Sequence, residues 1–268
     1  MKVFSSSIYW CIAVVVTFFY SNLAQADCAR SYSIAYSSDY IPYQYQSESE
    51  APMGLDIDIT SAVMTELGCK FEFVLIPSKR AQLLLKSGSL DLMPAASITD
   101  ERSTYAYFSA PYRDEAVAMF VRTEDRSKYQ QYHFKDAIDN GLRIVAGLGG
   151  WYGSEYGEEK ERALTAEVLR LNASTSVRIH QLLDKRADVV VADLFVGYHH
   201  AIEANRLNEI TPLPHLLNSE PVHYMLGKAS VSEAFVREFN VALATVLNSE
   251  EYQVLLEKYR PATGVPTN

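Results

Sequence analysis

Cysteine is scarce in this sequence: three residues in 268, of which Cys11 lies in a leading stretch. Long apolar runs are missing too, because the run from Ile8 to Tyr20 falls short of the ~20 residues a membrane-spanning helix needs and no other rivals it. There is no basic run. With 33 acidic against 24 basic residues and a net charge of −9, nucleic acid and anionic membrane are excluded as expected partners. Internal repeats and low-complexity tracts are absent as well, which removes solenoids and disordered arrays. No acid and base emerge as a pair from spacing. The adjacent His199 and His200 read as the exposed face of a helix beginning near Leu194; on it they would point about 100° apart, and no other ligands flank them. Neither catalysis nor a metal or other cofactor is therefore expected.

What is present is an export signature and a well-supplied core. Residues 1–26 carry Lys2, the apolar run and the small-residue end Ala24-Gln25-Ala26, the pattern of a cleavable signal peptide. Its removal leaves 242 of 268 residues and, with Lys2 gone, shifts the charge from −9 to −10. At 48% hydrophobic and 12% aromatic content the remainder can bury a substantial core, so disorder is not expected. Cys28 and Cys69 then remain, and an exported chain with two thiols suggests one disulfide. Each precedes an expected strand, 31–37 and 70–76, and parallel neighbours would bring them together. Two unpaired structural thiols are the alternative.

Apolar periodicity predicts a strand at 32–36, a helix over 56–67 stopped by Gly68, a strand at 71–76, a helix over 78–86 and a strand at 90–94. Strand and helix in alternation mean a parallel sheet wrapped by helices, with ligands collecting at the carboxyl ends of the strands. A second unit opens with a strand at 117–122 and an exposed connector at 123–132. The αβ pattern then restarts through strands at 142–146 and 189–192, before a last strand at 223–226 and two amphipathic helices near 232–247 and 250–259. The fold class is α/β, in two lobes: 27–114 with 222–268, and 115–221, with the chain crossing between them twice.

Within this frame Arg102 stands out, a planar guanidinium beside Ser97 and Thr99, suited to grip a carboxylate through two parallel hydrogen bonds. A surface arginine paired with Asp100 or Glu101 is the other reading. Asp193 closes the strand 189–193 and would face a cleft, where a cation would offset its desolvation; it could equally cap the next helix. The loop Gly147-Leu148-Gly149-Gly150-Trp151-Tyr152-Gly153 leads into a helix, whose first N–H groups attract anions.

The order of motifs resembles the family 3 solute-binding proteins, periplasmic amino-acid receptors of ABC importers. The segment Gly54-Leu55-Asp56-Ile57-Asp58-Ile59-Thr60-Ser61-Ala62-Val63-Met64-Thr65-Glu66-Leu67 fits the family signature except at Met64, where a small residue is usual. Ser87-Gly88-Ser89-Leu90-Asp91, Ser97-Ile98-Thr99-Asp100-Glu101-Arg102 and Phe108-Ser109-Ala110-Pro111-Tyr112 follow in the family's order. The resemblance implies a periplasmic-binding-protein-like type II fold closing on a small ligand. Arg102 and Ser97 would hold the carboxylate, Asp193 the α-amino group and Tyr40 the side chain, with Gly150, Trp151 and Tyr152 across the cleft. It further implies a periplasmic monomer that delivers its ligand to an inner-membrane ABC permease. Three departures bear on the ligand: Ser78 replaces a usual aromatic with Arg80 nearby, the first loop has Ser37 and Asp39, and Ala95 stands where glycine often supplies a free carbonyl. Arg80 in the cleft would favour a more acidic ligand. Some relatives of this fold are periplasmic dehydratases of cyclic acids, and others sense ligands for a receptor; both remain alternatives to transport.

Overall fold

The computed structural model describes residues 28–259, so the signal peptide expected over 1–26 lies outside the described residues. The chain opens with β1 (Ser31–Tyr36). The aromatic segment after it, read as a loop, forms a small antiparallel sheet of β2 (Asp39–Tyr40), β3 (Gln44–Gln46) and β4 (Pro52–Met53). Gly54 then turns the chain into α1 (Leu55–Glu66) at φ 124°, with the Tyr43 carbonyl oxygen only 2.2 Å from where a Cβ would stand, so no other residue fits. Next come β5 (Lys70–Leu75), α2 (Ser78–Ser87), β6 (Leu92–Ala96), the single turn α3 (Asp100–Ser103) and β7 (Ala106–Phe108).

A second run of elements follows: β8 (Val117–Arg122), α4 (Arg126–Tyr129), α5 (Phe134–Asp139), β9 (Ile144–Ala146), α6 (Ser154–Thr165) and β10 (Leu169–Leu171). It continues with α7 (Thr175–Leu183), β11 (Val189–Asp193), α8 (Leu194–Glu203) and β12 (Ile210–Asn218). The chain closes with β13 (His223–Gly227), α9 (Glu233–Leu247) and α10 (Glu250–Lys258).

Two five-stranded sheets result, and the fold is a bilobal α/β one. The first has the order β5-β1-β6-β13-β7, with β1 parallel to both β5 and β6 and β13 antiparallel to its neighbours. The second has the order β10-β9-β11-β8-β12, with β8 antiparallel to β11 and β12. Register pairs Ser31 with Lys70, and just upstream Cys28 and Cys69 are joined by a disulfide with Cα atoms 4.7 Å apart.

Each sheet is buried on both faces. In the first lobe α1 and α9 cover one face with Ile59, Val63, Phe235 and Phe239, and α2 covers the other with Ala81 and Leu85. Along β8 the side chains alternate: Met119 and Val121 enter one core of the second lobe, Ala118 and Phe120 the other. Burying each of the larger ones contributes roughly 1.5–3 kcal/mol, which is why a five-residue apolar run suffices to fix a strand.

The chain passes between the sheets at 109–116 and 219–222, and the two crossings bond to each other. Tyr112 N–H donates to the Val222 carbonyl (3.1 Å) and Val222 N–H to the Arg113 carbonyl (3.0 Å). Arg113 is itself buried, its guanidinium 2.8 Å from Asp56 Oδ1 at the start of α1 and 3.6 Å above the Tyr43 ring. Gln44 donates to the other Asp56 oxygen at 2.8 Å, so the pair sits in a satisfied network.

Candidate functional site

A cavity of about 150 Å³ lies between the two sheets, at the carboxyl ends of β6 and β11. At the ~10–15 Å³ of such volume needed per water, it has room for on the order of ten water-sized groups, an amino acid rather than a peptide.

The first lobe supplies Tyr40, Ala95, Ser97 and Arg102 to its lining. Thr99 starts α3 by accepting Arg102 N–H on its hydroxyl (3.2 Å), and this one-turn helix aims Arg102 back across the strand end. The Arg102 side chain is buried. It donates from Nη1 to the Ser97 carbonyl (2.8 Å) and from Nη2 across the cleft to the Gly149 carbonyl (3.1 Å), and among the described residues it forms no ion pair with Asp100 or Glu101. Those two bonds use two of its five donors. Ala95 sits at φ 58°, the left-handed region in which glycine would be at ease, and its N–H donates to the Tyr112 hydroxyl at 3.0 Å.

From the second lobe come Gly150, Trp151, Tyr152 and Asp193. The expected free amides of the glycine loop are only partly available: Gly147 N–H is taken by the Tyr152 hydroxyl (3.1 Å). The Gly149 carbonyl faces the first lobe, accepting from Arg102 and from Gln82 (2.8 Å). Asp193 uses its two oxygens differently. Oδ1 caps α8 by accepting Phe195 N–H (2.9 Å) and Val196 N–H (3.1 Å), whereas Oδ2 is buried without a hydrogen-bond partner. A buried acceptor left bare costs roughly 1–3 kcal/mol.

Arg80 does not line the cavity. It is exposed on α2, whose buried face is Ala81, Gln82 and Leu85, so the helix turns Ser78 and not Arg80 toward the cleft. The acidic ligand that Arg80 would favour loses that support.

Glu115 and Arg178 line the cavity too, and no motif in the chain points to either. Register pairs Asp193 with Val117, which brings Glu115 of the crossing beside Asp193; Tyr40 donates its hydroxyl to Glu115 Oε1 at 2.6 Å. Burial, and then the neighbouring Glu115, push the Asp193 carboxyl up to about 7. Burial likewise raises Glu115, against the pull of Arg113 and Tyr40. Arg178 binds the Asn172 carbonyl (2.7 Å) and Thr175 hydroxyl (2.8 Å) but leaves its buried Nε without a partner. Two arginines and two carboxyls thus meet in one small space, with bare polar atoms of each sign.

His200 also departs from expectation. The sequence places the His199-His200 pair on an exposed helix face, yet only His199 is partly open, 3.3 Å from Glu203, while His200 is 3% exposed. Its Nε2 lies 3.0 Å from Asp39 Oδ1 of the opposite lobe, an ionic contact without the alignment of a directed hydrogen bond, and Ser176 N–H donates to Asp39 Oδ2 at 3.2 Å. Burial lowers His200, but Asp39 and Glu203 outweigh it and hold the imidazole above its ordinary value. Burial raises Asp39, but His200 and the serines at 174 and 176 outweigh it and hold the carboxyl below its own.

The model of the bacterial extracellular solute-binding proteins, family 3, matches residues 32–262. The chain is 27% identical over 184 residues to a cyclohexadienyl dehydratase of Pseudomonas aeruginosa, covering 67% of this chain and only 62% of that one. It is 24% identical over 246 residues to a probable histidine-binding protein of Neisseria gonorrhoeae, covering 89% and 86%. Among solved structures, a histidine kinase sensor domain with similarity to periplasmic binding proteins superposes with a TM-score of 0.74 at 20% identity, covering 91% of this chain and all of that one.

Proposed function

Since the chain belongs to the bacterial extracellular solute-binding proteins, family 3, we propose that its cleft captures an α-amino acid or close analogue with a polar side chain and releases it to an ABC-type permease. The observation that carries this reading is the opposition of charge across the cavity. Arg102 keeps donors free on one wall, and Asp193 keeps a bare buried oxygen on the other. A zwitterion satisfies both ends. A dicarboxylate would face Asp193 with like charge, and a diamine would leave Arg102 unpaired, each at the cost of a buried uncompensated charge. The likeness to a histidine-binding protein over most of both chains supports the same class of ligand.

In this reading residues 27–114 with 222–268 close against 115–221 in the periplasm, as a monomer. Only the closed form brings Arg102 and Asp193 to one ligand, so binding shifts the population toward it. Isothermal calorimetry against the amino acids tests the proposal: one binds, and Arg102→Ala weakens it roughly 30- to 1,000-fold, as expected for truncating a buried, hydrogen-bonded charge. Unchanged affinity in Arg102→Ala overturns the assignment, as does failure of every amino acid to bind.

A second reading has its own observation. Asp193 and Glu115, both raised, form a carboxyl pair that holds a proton beside the cavity, which is what a general acid requires. Dehydration of a hydroxylated cyclohexadienyl acid would use it, and the relative with that name is a dehydratase. Loss of water from such a ring makes it aromatic, so a rise in ultraviolet absorbance that Glu115→Gln abolishes would favour the enzyme over the binding protein.

A further inference from the structure

We propose that His133, Glu155 and His215 bind one borderline first-row divalent cation, zinc in the first instance, at a site on the second lobe outside the ligand cleft. None of the three lines the cavity. The fold assembles them from separate elements: His133 precedes α5, Glu155 lies in the first turn of α6, and His215 is on β12. That dispersal is why the sequence showed no metal motif.

The carboxylate is oriented for the task. Lys135 N–H donates to Glu155 Oε1 at 3.1 Å, which leaves Oε2 facing both imidazoles, 3.9 Å from His133 Nδ1 and 3.5 Å from His215 Nε2. His133 is held in its turn, its backbone N–H donating to Asp136 Oδ2 at 2.8 Å. The two rings lie with centroids 3.9 Å apart, so two imidazolium charges would repel, whereas two neutral rings offer lone pairs to a shared cation. One donor atom from each of the three falls within 4.8 Å of the others. A tetrahedral ion with bonds of ~2.0–2.1 Å sets its donors about 3.4 Å apart, a contraction that small rotations of these open side chains supply. Two imidazole nitrogens and one carboxylate oxygen suit zinc, nickel or copper and not magnesium or calcium, and they leave a fourth position for water.

Bound there, the ion would tie α5, α6 and β12 together. Gly153, the residue before α6, already lies so close to the Leu217 carbonyl on β12 that a Cβ would stand 2.0 Å from its oxygen. The ion would therefore brace the back of the loop whose Gly149 carbonyl meets Arg102.

The test is calorimetric titration of the tag-free exported chain with zinc sulfate at pH 7.5. One zinc per chain is expected, weakened at least tenfold in His133→Ala and in His215→Ala and unchanged in His180→Ala, an exposed histidine on α7. Zinc should also raise the melting temperature of the parent chain but not of the two variants, and an excess of magnesium should not displace it. No stoichiometric binding, binding that survives both substitutions, or an equal loss in His180→Ala overturns the site. Should one variant fail to fold, the other and Glu155→Gln decide the question by the same titration.

Discussion

Asp56 and Arg113 form an ion pair whose side chains are 0% and 5% exposed, within the first lobe and its link to the second; Arg143 and Asp188, in the second lobe, are 54% exposed on the arginine side. The first lobe buries its charge pair in a network that is fully used, and it carries the disulfide as well. The second lobe holds Arg143 at the surface and leaves two buried polar atoms beside the cavity, Asp193 Oδ2 and Arg178 Nε, without partners. One lobe stores order in satisfied charges, while the other keeps unsatisfied ones where a ligand can answer them. Substitutions in the first should therefore register as lost stability, and those at the second lobe's cavity face as altered binding.

The largest break in that contrast comes from Arg113→Ala, which strands the Asp56 carboxylate. Urea melts should show a loss of about 3–5 kcal/mol; a loss below about 1 kcal/mol would mean the buried network is not structural. Next, Cys28→Ser with Cys69→Ser opens a loop spanning 41 residues and should destabilise by roughly 3–4 kcal/mol on the chain-entropy model. Tryptic mapping without reductant should recover the two cysteines in one linked peptide.

Asp193→Asn sharpens the contrast from the other side, because Asn keeps an oxygen to cap α8 and removes a carboxyl that the fold disfavours when ionised. Folded Asp193 titrates near 7 against an ordinary value near 4, so the native state holds its proton more tightly. The stabilisation from that proton is complete below about pH 4 and is lost as pH rises through about 7. The variant should flatten stability across that window and stand no less stable than the parent at pH 7.5. Amine binding must displace the same proton, so parental affinity should fall up to tenfold for each pH unit below 7, a slope absent in the variant. A parent whose affinity is flat from pH 5 to 7 would count against Asp193 as the amine's partner. The smallest effect belongs to Arg143→Ala, under about 1 kcal/mol in the same melts, since more than half of that side chain is in water.

Much of this architecture could be read from the chain, for identifiable reasons. β1, β5, β8, β11 and β13 are short apolar runs between punctuating residues, and the amphipathic helices end at Gly68 and Gly88 as glycine stops predict. β12 was missed because Pro212 and Pro214 remove two donors, which an edge strand pairing only with β8 tolerates through irregular register. Arg102 and Asp193 were legible because each sits at or shortly after the carboxyl end of a buried strand. Glu115 stands next to Asp114 in a polar crossing and Arg178 within α7, and no local pattern singles out either. Tyr40 of the first lobe covers Glu115, a contact that no local pattern encodes. His200 failed for the same reason: Asp39, which covers it, belongs to the other lobe.

The bonded crossings have a mechanical consequence. Two independent straps between rigid bodies would let them slide, twist and bend alike. Straps stitched together at Tyr112, Arg113 and Val222 act instead as one leaf spring, soft to flexing across its width and stiff to shear and torsion. Arg113, locked onto Asp56, clamps that spring at one end and confines its flexing to the few residues before Val117. Under the proposed closure the lobes would swing along a single arc. Along that arc each return would deliver the same atoms to the same places, Arg102 to the Gly149 carbonyl and Asp39 to Ser176 and His200, with no rotational search.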